Sequence, residues 1–178
     1  ANRPFNNVRE MDQALISNWN SVVAPNDTVY VLGDFAYKNT LSISSYRRRL
    51  SGKITLVVGN HDNLREIHEN AEEVPDGQPP QPLFERVVHG ILHLRLVGIE
   101  PSRPDMHLRN VEIVLCHYAM RTWHHAFRGS WHLFGHTHGK LPPYGKSFDV
   151  GVDCHNYRPI SLDEVYTKMQ SLAEPVQH

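Results

Sequence analysis

Four short apolar runs punctuate the chain, and each gives way abruptly to glycine or to a polar residue with lone pairs to offer. Val29-Tyr30-Val31-Leu32 runs into Gly33-Asp34, and Ile54-Thr55-Leu56-Val57-Val58 into Gly59-Asn60-His61-Asp62. Val111-Glu112-Ile113-Val114-Leu115 leads to Cys116-His117, and Trp131-His132-Leu133-Phe134 to Gly135-His136-Thr137-His138-Gly139. Runs of this length and composition predict buried parallel strands rather than half-exposed antiparallel ones. Helical spacing marks two further elements. Val8, Met11, Leu15, Trp19 and Val22 fall on one face of an opening helix that Asn7 and Glu10 would cap and Pro25 would end. Ser161 and Glu164 cap a closing helix through Val165, Met169 and Leu172.

Between these lie shorter features. Residues 42–50 predict a short helix stopped by Gly52, with Arg47-Arg48-Arg49 as a solvated face. Residues 64–71 predict another. The stretch 75–82, with prolines at 75, 79, 80 and 82, must be a loop. Residues 86–89 and 91–99 alternate apolar with polar and read as an antiparallel pair turning at Gly90. Residues 101–110 and 118–130 read as irregular, and 148–152 as a late strand. No internal repeat or linker interrupts the pattern, so the expectation is a single α/β domain over residues 1–178, with more than one sheet.

Composition narrows the class. A chain of 178 residues, 40% hydrophobic and 21% charged, is globular and long enough to bury roughly 70% of its unfolded surface. A net charge of −1 and a pI near 7.0 argue against an extended nucleic-acid surface. Two cysteines, Cys116 and Cys154, make no disulfide framework, and no apolar run is long enough to span a membrane. A cytoplasmic protein is therefore the expectation. Thirteen histidines are the outlier, and they point to metal or proton chemistry.

The chemistry gathers at the strand ends. In α/β proteins ligands bind outside the carboxyl ends of parallel strands. Here four such ends carry Asp34, Asn60-His61-Asp62, His117 and His136-Thr137-His138. In a continuing strand His136 and His138 share a face, and the flanking Gly135 and Gly139 would let the chain turn both rings toward one pocket. His68, His89, His93, His107, His124, His125, His132 and His178 are read as ordinary surface or core histidines.

Gly33-Asp34, Gly59-Asn60-His61-Asp62, Cys116-His117 and Gly135-His136-Thr137-His138, in this order, resemble four motifs of the calcineurin-like metallophosphoesterases. The small prokaryotic and phage phosphoesterases are the most similar of these. The likeness extends to Arg3-Pro4-Phe5 and to Val150-Gly151-Val152-Asp153. It implies an α/β fold, a β-sandwich of two mixed sheets flanked by helices, and metal-dependent hydrolysis of phosphate mono- or diesters. Two divalent ions (Mn, Fe or Zn) would acidify a water and clamp the phosphate. In the family's pattern Asp34 serves both ions, Asn60, His117 and His136 complete the second site, and His138 belongs to the first. His61 would stand by the phosphate as a charge stabiliser and general acid, oriented by Asp62. Arg121 is a candidate contact for substrate phosphate, and the loops 75–82 and 118–130 are where substrate choice is expected to reside.

One departure matters. The family's first motif, an Asp-x-His at the end of a first strand, belongs upstream of Arg3-Pro4-Phe5. The sequence is therefore expected to be incomplete at its amino end, to lack that strand, and to hold the first metal weakly or not at all. Asp105-Met106-His107 and Asp153-Cys154-His155 have the right spacing but the wrong settings to replace it. The alternatives are a non-catalytic metal-binding relative that has lost its first site, or an unrelated metallohydrolase. The absence of a His-x-His-x-Asp-His cluster speaks against the latter.

Overall fold

Each of the four apolar runs forms a strand; Lys53–Val57, Glu112–Cys116 and Trp131–Phe134 are buried as expected, whereas Thr28–Val31 alternates exposed and half-buried residues and is a half-exposed strand. The computed structural model describes residues 3–38, 41–69, 82–97 and 102–174. The chain divides into two compact units, residues 1–89 and 90–178, each built on its own sheet. The coarse class is mixed α/β, with a sheet of three parallel strands and another of four mixed strands.

The first unit opens with α1, Val8–Asn20. Asn7 caps it by accepting the Glu10 N–H at 2.9 Å, while the Glu10 carboxylate turns back to the backbone N–H of Asn6 at 3.0 Å rather than to Asn7. The apolar face is less sheltered than its spacing suggests, since Val8 and Val22 are each 45% exposed. Trp19 does the anchoring: it packs on the unit's core and donates its indole N–H to the Ser51 carbonyl at 2.9 Å. Then come β1 (Thr28–Val31), α2 (Ile43–Arg47), β2 (Lys53–Val57), α3 (Leu64–Glu69) and β3 (Arg86–Val88). β2 lies between β1 and β3, parallel to both. Ile54 and Leu56, two residues apart on one face of β2, are fully buried against Ile43, Ile67, Leu83 and Phe84. Central placement and burial on both faces are why this strand reads as an unbroken apolar run.

Three expectations need correction here. Residues 86–89 and 91–99 are not an antiparallel pair: β3 joins β2 in the first sheet, and the strand after Gly90 belongs to the second. The arginine triplet is not one solvated face. Arg48 and Arg49 are exposed, but Arg47 donates to the carbonyls of Leu83 (2.9 Å), Leu50 (2.7 Å) and Gly52 (2.7 Å). Gly52 does not end α2, which closes at Arg48. Its φ of +90° serves the turn into β2, where an added Cβ would meet Val23 Cγ1 at 2.8 Å. The proline-rich loop at 75–82 lies outside the described residues except for Pro82.

The second unit contains β4 (Ile91–Arg95), β5 (Glu112–Cys116), β6 (Trp131–Phe134) and β7 (Ser147–Asp149), ordered as numbered. β4 runs antiparallel to β5, and the other neighbours are parallel. β7 stops at Asp149, and Val152–Cys154 form a 3-10 turn where a longer strand was expected. α4, Leu162–Ser171, carries the complete capping box of Ser161 and Glu164 and buries Val165, Tyr166 and Met169. Arg158 grips the Glu164 carboxylate at 2.6 Å and, with the Ser161 N–H, holds that carboxyl down to about 2. Both cysteines are free, Cys116 buried and Cys154 exposed. Among the described residues no helix is long and apolar enough to cross a membrane.

Candidate functional site

In the first unit the strand ends work as one assembly. β1 and β2 are parallel neighbours, so the residues that follow them emerge side by side. Gly33 (φ 85°) and Asp34 (φ 54°) both turn left-handed, and that turn bends the chain beyond the strand. A non-glycine residue held there costs on the order of 1 kcal/mol, and such residues gather at functional sites. The strain is held in place by Asp62. Its carboxylate accepts three backbone N–H groups: Asp34 at 2.9 Å, Phe35 at 2.8 Å and Gly59 at 2.8 Å. Asp34 in turn accepts the His61 N–H at 2.9 Å. Asp62 thus ties both strand ends together and spends its oxygens on backbone. The role expected for it, orienting the His61 ring, is not what this geometry does. The His61 ring lies instead against exposed Tyr37, centroids 4.0 Å apart. His61 and Asn60 are exposed, and Asp34 is half-buried.

In the second unit β5 and β6 are likewise parallel neighbours, and the residues leaving them meet. His117 is buried and His136 exposed, and His117 Nε2 stands 3.1 Å from His136 Nδ1. The Tyr118 ring touches both edge-on, at 4.8 and 4.9 Å. The expectation that strand periodicity aims His136 and His138 together is corrected. β6 ends at Phe134, and His136 (φ 62°) and His138 (φ 50°) are each left-handed. Gly139 shares that conformation at φ 75°, whereas Gly135 is not among the left-handed residues. The rings accordingly have different partners. His138 presents Nδ1 to the Asp153 carboxylate at 2.6 Å, which leaves Nε2 as its ligand atom.

Asp149, at the end of β7, secures this loop as Asp62 secures the other. It accepts from the Thr137 hydroxyl (2.5 Å) and from the N–H groups of Gly139 (2.9 Å) and Gly151 (2.7 Å). Although Cys154 is exposed as a residue, partial burial of its thiol, then the charges of Asp149 and Asp153, push that thiol up, so it stays protonated. No motif singled out Asp149, and Asp153, weighed above as a ligand only within Asp153-Cys154-His155, here serves His138 instead. Arg121 is exposed in the irregular segment after His117. His132 is structural: fully buried, it accepts the Met120 N–H at Nε2 (3.1 Å) and gives Nδ1–H to the Val114 carbonyl (3.0 Å).

The donor sets suit a divalent ion of the Mn, Fe or Zn kind. Two imidazole nitrogens on one such ion stand about 3.0–3.4 Å apart, given metal–nitrogen distances near 2.0–2.1 Å. The 3.1 Å between His117 and His136 falls in that range. A histidine backed by a carboxylate through its other nitrogen, as His138 is by Asp153, is the usual outer-shell support of a metal ligand.

No family model matches the chain. It is similar to the uncharacterized protein MJ1445 of Methanocaldococcus jannaschii, 29% identical over 171 residues, covering 91% of this chain and 77% of that protein. It is also similar to the gene 66 protein of Mycobacterium phage L5, 26% identical over 178 residues, covering 94% and 84%. A solved structure, the protein of unknown function AQ665 from Aquifex aeolicus, matches with a TM-score of 0.61 at 20% identity over 93% of this chain and 88% of that one. The chain therefore shares its α/β fold with a protein of known structure.

Proposed function

We propose that the chain is a metal-dependent phosphoric ester hydrolase of the calcineurin-like kind. Its metal ligands in this reading are Asp34, Asn60, His117, His136 and His138, and the accompanying fold is the metallophosphoesterase β-sandwich. The observation that carries the proposal is the pairing of His117 with His136 at two parallel strand ends, next to a His138 already backed by Asp153. Left-handed Asp34, His136 and His138, each held by a hydrogen-bonded loop, add to it. Divalent ions there would supply acidified water and positive charge for the phosphoryl oxygens. The chain's own part is to offer oxygen and nitrogen donors, to keep the loops rigid through Asp62 and Asp149, and to place His61 where it gives a proton to the leaving oxygen. The substrate is a phosphate mono- or diester.

The test is hydrolysis of aryl phosphate mono- and diesters with added Mn2+, alongside elemental analysis of the protein. Turnover should depend on the metal and fall by at least about 100-fold in Asp34→Asn and in His136→Ala, each with less metal retained. A parent chain that neither retains metal nor turns over any ester would end the proposal. Metal held without turnover would replace the enzyme by a metal-binding relative.

A further inference from the structure

A second set of donor side chains lies wholly within the second unit, at the opposite end of β5 from His117. Glu112 opens the strand and His117 follows it, so the two are separated by roughly 16 Å of extended chain and point to opposite faces. Register pairs Glu112 with Arg95 and Val114 with His93, which places all four on one face of the β4–β5 pair. Trp123 and Ala126 pack on Val114 and so bring the irregular segment over that face. The segment is tied down by its own bonds: Trp123 Nε1–H to the Ser130 carbonyl at 3.2 Å, and the Ser130 hydroxyl to the His124 carbonyl at 2.5 Å.

Successive side chains of an extended segment point to opposite sides. His125 escapes that rule by adopting φ 56°, and its ring lies on that of His124 with centroids 3.7 Å apart. His125 Nδ1 is 2.6 Å from Glu112 Oε2, and one ligand atom from each of Glu112, His124 and His125 lies within 4.8 Å of the others. The His93 ring stands 5.3 Å from that of His124. Two stacked imidazoles repel if both are protonated, because a single carboxylate neutralises only one of them. As the contact stands, His125 Nδ1–H donates to Glu112; an entering ion displaces that proton to solvent, and the neutral rings then form, with the Glu112 carboxylate, a nitrogen–nitrogen–oxygen set of charge −1. That set suits zinc, nickel or copper better than calcium or magnesium, which take oxygen.

We propose that Glu112, His124 and His125, with His93 beside them, bind a divalent transition ion of the zinc class at a site separate from His117 and His136. His124 is exposed and the other two ligands are half-buried, so the ion exchanges with solvent. Bound there, it cross-links β5 to the segment that runs from Met120 to Ser130.

The test is equilibrium dialysis against Zn2+, with Co2+ absorption as a second readout. In a His117→Ala/His136→Ala background the chain should still hold one zinc ion, and adding His124→Ala should weaken that ion by about 100-fold or more, since losing even an outer-shell partner costs 10–100-fold. In the parent chain, His124→Ala should lower the zinc count by one. His124 is exposed, and its removal leaves the Glu112–His125 contact intact, so a plain ion pair predicts no change in either measurement. Unchanged zinc binding in His124→Ala, with an unchanged circular dichroism spectrum, overturns the proposal. So does a background chain that is folded and holds no zinc.

Discussion

Of the histidines carried on strands, His132 has its protonation state set most firmly by its surroundings. Burial pushes its pKa down, and the Val114 and Tyr118 backbone offsets only part of that. A group whose folded pKa lies below its unfolded value contributes stability above about pH 6.5, and loses it as the pH falls below that value, because the unfolded chain takes up the proton first. His132→Leu should cost about 1–3 kcal/mol at pH 8 by stranding the Met120 N–H. The gap to the parent in urea unfolding should narrow as the pH falls from 7 to 5, and a constant gap would refute the neutral assignment. Its structural role was legible in the sequence, because it sits inside an apolar run. The left-handed turns at Asp34, His125, His136 and His138 were not. Only glycine declares such a turn by residue type; elsewhere it is imposed by the hydrogen bonds around it. His125 makes one of these turns, so nothing in the sequence announces that its ring stacks on that of His124.

At the level of elements, β2, β5, β6 and α4 were readable because burial on both faces, or on one stripe, marks the sequence, whereas β1 and α1, neither with a buried residue, were readable from residue type and helical spacing alone. The partition of β3 and β4 was not. Both are short, they adjoin at Gly90, and alternation says that a strand has one wet face without saying which strand it pairs with. Arg47 was misread for a related reason. Arg48 and Arg49 are solvent-facing, and of the carbonyls Arg47 binds, those of Leu50 and Gly52 lie beyond the end of α2 while that of Leu83 is distant in sequence. Arg47→Met should therefore lower unfolding stability by about 2–3 kcal/mol by leaving three partly buried carbonyls unpaired. Arg48→Met and Arg49→Met, both surface changes, should stay within about 0.5 kcal/mol. Denaturant unfolding of the three variants side by side decides the point.

For the molecule as a whole, an ion that binds only the folded chain must raise its stability. At a hundredfold excess over its dissociation constant the gain is about 2.7 kcal/mol. Thermal unfolding should shift upward with Mn2+, return on chelation, and move little in Asp34→Asn or His136→Ala. A parent chain indifferent to Mn2+ would contradict the metal-centre reading. Asp62 has a further consequence for whatever anion the chain receives. A nucleotide-binding loop offers its amides to the incoming phosphate. Here the amides of Asp34, Phe35 and Gly59 already surround a resident carboxylate. An oxyanion arriving at this rim finds that cradle occupied, so its grip has to come from cations and imidazoles, and weak inhibition by free sulfate is the natural corollary.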